Sequence, residues 1–331
     1  MSGLYQDELI RELRAGVRSI LGLWGLSSDT ELDLLCISEN ATFRAVDPQG
    51  GKSLVFRVHR PGYHQLDEIE SELAWIGALR ADKIVETPCP LTNEQDELVA
   101  GFEHGGETRH VVAFEFMSGA ELDESGDLIS GFRQLGAVTA SLHQHARHWS
   151  RPAMFNRKIW DFDTTLGSRP HWGSWRAALG LDSDGEAVLA DCVSLLSRQL
   201  DDYGADESRF GLIHADLRLA NLLMDGERLA VIDFDDCGFG WYMYDFAAAV
   251  SFIETSPQIA ALQSAWVRGY REVAPLDAED ENAISMFVML RRLLLTAWIA
   301  SHAETPTAQE LGSDYTLDTL RLARDYLREQ K

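Results

Sequence analysis

Asp216, Asn221 and Asp233 have types and spacing that could do chemistry. Asp216 and Asn221 lie five positions apart in one segment, and Asp233 follows a short apolar run. An amide oxygen and a carboxylate suit Mg²⁺, a hard ion that takes oxygen ligands and shares them with substrate phosphates. A further carboxylate not needed by the metal can orient a hydroxyl and accept its proton. Asp216 as base, with Asn221 and Asp233 as metal ligands, is the division of labour of a phosphoryl-transfer site.

Three short apolar runs must position these groups: Leu212-Ile213, Leu222-Leu223-Met224 and Leu229 to Ile232. Asp225-Gly226 separates the last two and reads as a tight turn between strands. The hairpin brings the His214–Asn221 loop and the strand-end Asp233 to one end. An Asp-rich turn that only caps backbone groups is the blander alternative. Four matched positions in order, each bounded by strands, weigh against it.

His214-Ala-Asp216-Leu-Arg-Leu-Ala-Asn221-Leu-Leu and Val231-Ile-Asp233-Phe-Asp235 resemble the aminoglycoside phosphotransferase and choline kinase superfamily. The spacing is that of a kinase catalytic loop followed by its metal-binding segment. The resemblance implies an α+β, protein-kinase-like fold: a small antiparallel-sheet lobe, then a larger, mainly helical lobe. It also implies transfer of the ATP γ-phosphate, with Mg²⁺, to a small-molecule hydroxyl. A branch resembling bacterial stress-response kinases acts on proteins instead. Asp245 matches a family Asp that supports the catalytic loop. Ala215 stands where the family usually has Gly, a mild departure if the backbone there keeps a negative φ.

The 331 residues suffice for two sizeable cores. Twenty-nine Lys and Arg against 53 Asp and Glu give a net charge of −24. Such a surface repels nucleic acid and anionic lipid and attracts cations, or serves solubility alone. Cys36, Cys89, Cys192 and Cys237 show no paired spacing, so neither a zinc site nor a disulfide framework is indicated. The N-terminus does not read as a signal peptide. Ile284–Ala300, the most apolar late stretch, is broken by Arg291-Arg292 and does not read as a membrane span. A cytoplasmic protein with no nucleic-acid or membrane partner is the expectation, and oligomeric state stays open.

Residues 5–24 paint one apolar helical face from Tyr5 to Trp24. Strands are expected at Leu32–Ile37, Ala41–Val46 and Leu54–His59. Gly50-Gly-Lys-Ser53 fails as a Walker loop, because Val46 stands where Gly is needed and a strand follows. Ser38–Thr42 holds the position where kinases cover the ATP phosphates. A kinase needs a cation on the next strand. The chain has four lysines; Lys52 would face the opposite way on that strand, so Arg57 is the candidate. An amphipathic helix over 64–80 should hold its partner, Glu72 by family position, with Glu70 second. The resemblance makes Glu115, Phe116 and Met117 the adenine-holding hinge. The lobes are then 1–117, with a helical extension over 1–26, and 118–331.

A helix is expected over Phe132–His145. Its His143 and His145 do not share a face, which favours structural roles over metal binding. The aromatic segment 149–176 is a candidate cleft wall able to hold a cationic amine, or a locally packed insert. Residues 184–203 and 256–331 read as helical. Between Asp233 and Val250 there is no Ser, Thr or Ala-Pro-Glu, so a eukaryotic activation segment is absent. That favours a small-molecule acceptor over a protein, although the stress-response type also lacks that segment. A nucleotide-binding pseudoenzyme is the remaining rival; Arg57 and Ala215 are its support, and intact Asp216, Asn221 and Asp233 oppose it.

Overall fold

The computed structural model describes residues 7–38, 40–122, 127–226 and 228–330. The chain forms two compact units. The first comprises residues to Lys83, Thr87–Ser118 and Arg151–Asn156; the second comprises Ile84–Glu86, Gly119–Ser150 and Arg157 onward. The sequence reading sets a single cut after Met117. Two short exchanges depart from it, each with a local cause. Glu86 bridges Ala230 and accepts the Val231 N–H at 2.9 Å, within the second unit. Asn156 donates its backbone N–H to Ser71 Oγ at 2.8 Å and its side chain to Asp67 at 2.9 Å, within the first.

The first unit is an antiparallel sheet with one helix before it in sequence and one between its third and fourth strands. Strands β1 (Glu31–Ile37), β2 (Ala41–Val46), β3 (Ser53–Val58), β4 (Pro90–Leu91), β5 (Val99–His104) and β6 (Glu107–Glu115) run in the order β1-β2-β3-β6-β4, with β5 on β6. Helix α1 (Asp7–Ile20) buries Leu13 and Val17 in a core shared with Phe43 and Phe56. Trp24, just beyond it, sets its ring edge-on to Phe56 at 5.1 Å. The predicted face thus has its partner, though Tyr5 lies outside the described residues. Helix α2 (Leu66–Ala81) starts at a capping box between Gln65 and Glu68 and buries Ile69, Leu73, Ile76 and Leu79.

The second unit is mainly helical. Strands β7 (Ala120–Glu121), β10 (Leu222–Asp225) and β11 (Arg228–Val231) form one small sheet. Strands β8 (Ile159–Trp160), β9 (Phe210–Ile213) and β12 (Gly238–Trp241) form another. Leu222 pairs with Val231 and Asp225 with Arg228, and Gly226 takes φ 64°, as the Asp-Gly turn requires. Helices α3 (Leu128–His148), α4 (Phe162–Thr165), α5 (Ser183–Tyr203), α6 (Tyr244–Ala249), α7 (Ile259–Val273), α8 (Ala278–Ser301) and α9 (Pro306–Glu329) complete it.

Helices α3 and α7 meet at two glycines. A Cβ at Gly136 would lie 2.0 Å from Trp266 O, and one at Gly269 1.8 Å from Arg133 O, so only glycine permits this approach. Among the described residues α8 is the one helix long and apolar enough to cross a membrane. Its apolar side chains are buried within the unit, as are Arg291 and Arg292, each 2% exposed. The run over 256–331 is broken at His302–Thr305 and kinked at Gly312, features its apolar pattern did not disclose.

Candidate active site

In the second unit, β9 ends at Ile213 and the chain turns through His214-Ala-Asp216. Asp245, at the start of α6, shapes this turn. Its carboxylate accepts the N–H of Ala215 at 2.7 Å and of His214 at 3.2 Å. It also accepts from His143 Nε2 at 3.0 Å, while Tyr270 O–H donates to His143 Nδ1 at 3.1 Å. His143 is therefore a structural neutral ring, as its lone face on α3 suggested. Burial holds its pKa below the ordinary value, more strongly than Asp245 raises it.

The structure corrects one expectation. Ala215 has φ 66°, in the left-handed region that Gly adopts freely and Ala does not. The turn needs this geometry whatever residue stands there. It is imposed by Asp245 on the Ala215 N–H and by Arg291 on its carbonyl, at 3.2 Å.

Asp216 is held at both oxygens. Arg291 Nη2 donates to Oδ1 at 2.8 Å; Asn221 Nδ2 at 2.8 Å and Arg218 Nε at 3.2 Å donate to Oδ2. Burial pushes the Asp216 pKa up, but Arg218, Arg291 and His214 outweigh it, so it lies below the ordinary carboxylate value. The side chain stays 14% exposed, so the carboxylate is open to solvent.

Asn221 Nδ2 donates both to the Asp216 carboxylate and to its backbone oxygen, the latter at 2.9 Å. The amide oxygen is thereby turned away from Asp216. The Asn221 carbonyl accepts the Ile232 N–H at 3.0 Å, which sets Asp233 one residue from the loop asparagine. Asp233 is exposed with φ 61°. An amide oxygen and an exposed carboxylate, on segments joined by that backbone hydrogen bond, are hard donors of the kind a divalent cation takes together with phosphate and water.

In the first unit, Arg57 on β3 and Glu72 on α2 form an ion pair at 2.5 Å. Glu72 is fully buried and Arg57 is 5% exposed. Arg57 also lies 5.2 Å from the Phe114 ring. Glu115 and Phe116 give their N–H groups to Cys89 O at 2.9 Å and Ser53 O at 3.3 Å. The Met117 N–H has no backbone partner among the described residues. Arg44 stacks on the Phe116 ring at 4.0 Å. Of Ser38–Thr42, Glu39 lies outside the described residues; Asn40 Oδ1 accepts the Arg60 N–H at 3.2 Å.

In the aromatic segment Trp160, Trp172 and Trp175 are buried, with Trp160 and Trp172 5.2 Å apart, while Trp149, Phe155 and Phe162 are half-buried. Arg291 was missed by sequence reading. Two adjacent arginines in the most apolar helix were its signal, since a buried arginine needs a partner.

An Asp and an Asn on one loop, with a further Asp after the hairpin that follows, in a chain that also carries an antiparallel-sheet unit, have the order of a kinase-like phosphotransferase. The phosphotransferase enzyme family matches residues 38–276, and the chain belongs to it. A solved microcompartment-associated aminopropanol kinase is 44% identical, covering 95% of this chain and 97% of its own, with a TM-score of 0.88. Amicoumacin kinase of Bacillus subtilis (strain 168) is 25% identical over 82% of this chain and 80% of its own length. Amicoumacin kinase hAmiN, solved with AMP-PNP, Ca²⁺ and amicoumacin, shares the fold at 20% identity and a TM-score of 0.76, covering 97% of this chain and 93% of its own. The chain is a kinase that moves a phosphoryl group to a hydroxyl of a small molecule.

Proposed function

We propose that the chain transfers the γ-phosphoryl group of ATP, taken as its Mg²⁺ complex, to the hydroxyl of a short amino alcohol. The observation that carries the chemistry is the Asp216 carboxylate, fixed at both oxygens by Arg291, Asn221 and Arg218. Asp216 orients the acceptor hydroxyl and takes its proton as the oxygen attacks the γ-phosphorus. Asn221 Oδ1 and the Asp233 carboxylate hold the cation, which when bound neutralises phosphate charge. Arg57, fixed by Glu72, grips the nucleotide phosphates, and the Glu115–Met117 backbone holds the base. The cytoplasm, where ATP is plentiful, is the proposed compartment.

Support for the amino alcohol is the full-length likeness, at 44% identity, to an aminopropanol kinase. The net charge of −24 suits a cationic acceptor. The test is ³¹P NMR of the purified protein with Mg-ATP and a panel: 1-amino-2-propanol, ethanolamine, choline, homoserine and 1,2-propanediol. The reading expects a phosphomonoester from a short amino alcohol, and kcat/KM at least about 10²-fold lower for the diol, the cost of an unpaired polar site. Equal turnover of the diol, or transfer to none of the panel but to a serine peptide, would overturn it.

A further inference from the structure

We propose that Arg291 on α8 is a positioning residue for the transfer, acting by clamping the Asp216 carboxylate and the strained backbone before it as one unit. This rests on Asp216 being the base, and it adds a residue beyond the range 38–276 that the family description matches.

Arg291 is 2% exposed, and its guanidinium reaches four acceptors. Nη2 meets Asp216 Oδ1 at 2.8 Å; Nη1 meets Ala215 O at 3.2 Å and Tyr244 Oη at 3.0 Å; Nε meets Ser251 Oγ at 3.2 Å. The Trp172 ring stands 5.2 Å from it. Two of these anchors adjoin backbone that side chains rarely adopt: Ala215 has φ 66°, and Phe252, next to Ser251, has φ 72°. Such conformations persist only where the surroundings over-determine them.

Its neighbour shows what a purely structural arginine looks like in the same helix. Arg292 pairs with Glu254 at 2.6 Å and binds Thr319 and Tyr315 of α9, tying helix to helix. Arg291 instead ties the helix to the reacting loop. Asn221 and Arg218 restrain Oδ2; Arg291 alone restrains Oδ1 among the described hydrogen bonds, so without it the carboxylate can rotate about its Cβ–Cγ bond. A planar fork spans the carboxylate and the Ala215 carbonyl together, which an ammonium cannot do in the same geometry.

The test compares R291K, R291M, D216N and R291M/D216N, using Mg-ATP with 1-amino-2-propanol or whichever panel member the native protein phosphorylates fastest. Unfolding midpoints are read alongside. R291K, folded, should lose roughly tenfold in kcat and R291M roughly 10²-fold, the scale of an ångström misplacement, with both KM values within about threefold. R291M/D216N should be no slower than D216N, because Arg291 has nothing left to position. Native kcat in R291K overturns the proposal, and so does a double variant whose loss is the product of the single losses. Adding A215G to R291M should restore the midpoint and leave kcat low. Restored kcat would mean that Arg291 only holds the backbone, overturning the proposal. Should R291M fail to fold, R291K decides alone. Native-like turnover of D216N overturns the base assignment together with the proposal; a slow D216N beside a native-like R291K overturns only the proposal.

Discussion

Ala215 shows that the loop's shape is fixed by its surroundings and not by the residue in it. A left-handed conformation costs an L-residue about 1–2 kcal/mol, while Gly costs roughly 0.5–1 kcal/mol in backbone entropy. Ala215→Gly should therefore raise stability by about 0.5 kcal/mol in denaturant titrations and leave turnover within about twofold. A loss of more than about 1 kcal/mol would show that the buried Cβ contributes more than the strain costs. The strain was not legible in the sequence, because Ala carries no turn signal of its own. That Asp216 and Asn221 share one loop and Asp233 follows the next hairpin was legible, because the spacing between short apolar runs fixes that order. Arg291 was hidden by distance: 75 residues separate it from Asp216, and no local pattern joins them.

Among elements, the strand–helix pair β3–α2 holds Arg57 and Glu72 together. The alternation of the strand decided the cation. Arg57 stands opposite Thr42 and Val112 in register, whereas Lys52 lies before the strand and is exposed. If the buried pair acts as a unit, Arg57→Ala with Glu72→Ala should raise the KM for ATP much less than the product of the single effects. Multiplying effects would separate the two residues. Strands β4, β7 and β8 escaped the reading because two residues carry no period. The α3–α7 pair makes a second prediction. His143 is buried below its ordinary pKa of 6.5, so the unfolded chain binds a proton there first as pH falls. Its neutral form therefore favours the fold at neutral pH, and that advantage shrinks as pH drops below about 6.5. Native protein should lose stability more steeply than His143→Gln over that window. One proton, about 1.4 kcal/mol per pH unit, is the ceiling of the difference; parallel curves would contradict it.

For the whole molecule, the phosphotransferase family match at 38–276 leaves out α1, β1, the apolar helix α8 and α9. Yet α1 shares the first unit's core, and α8 reaches the loop that carries Asp216. The likeness to the aminopropanol kinase covers 95% of the chain, so these additions belong to the same architecture. Fold class was readable because strand alternation dominates before about residue 117 and helical periodicity after it. The exchange of short segments between the units was not, since it rests on single hydrogen bonds such as Asn156 to Ser71. The central claim is that Asp216 serves as base for transfer to a small-molecule hydroxyl. Its most direct test is single-turnover transfer from radiolabelled ATP by Asp216→Ala, with nucleotide affinity measured by calorimetry on the same sample. The account predicts a rate lower by roughly 10²–10⁴-fold with nucleotide affinity kept; a folded variant transferring within about threefold of the native rate would contradict it.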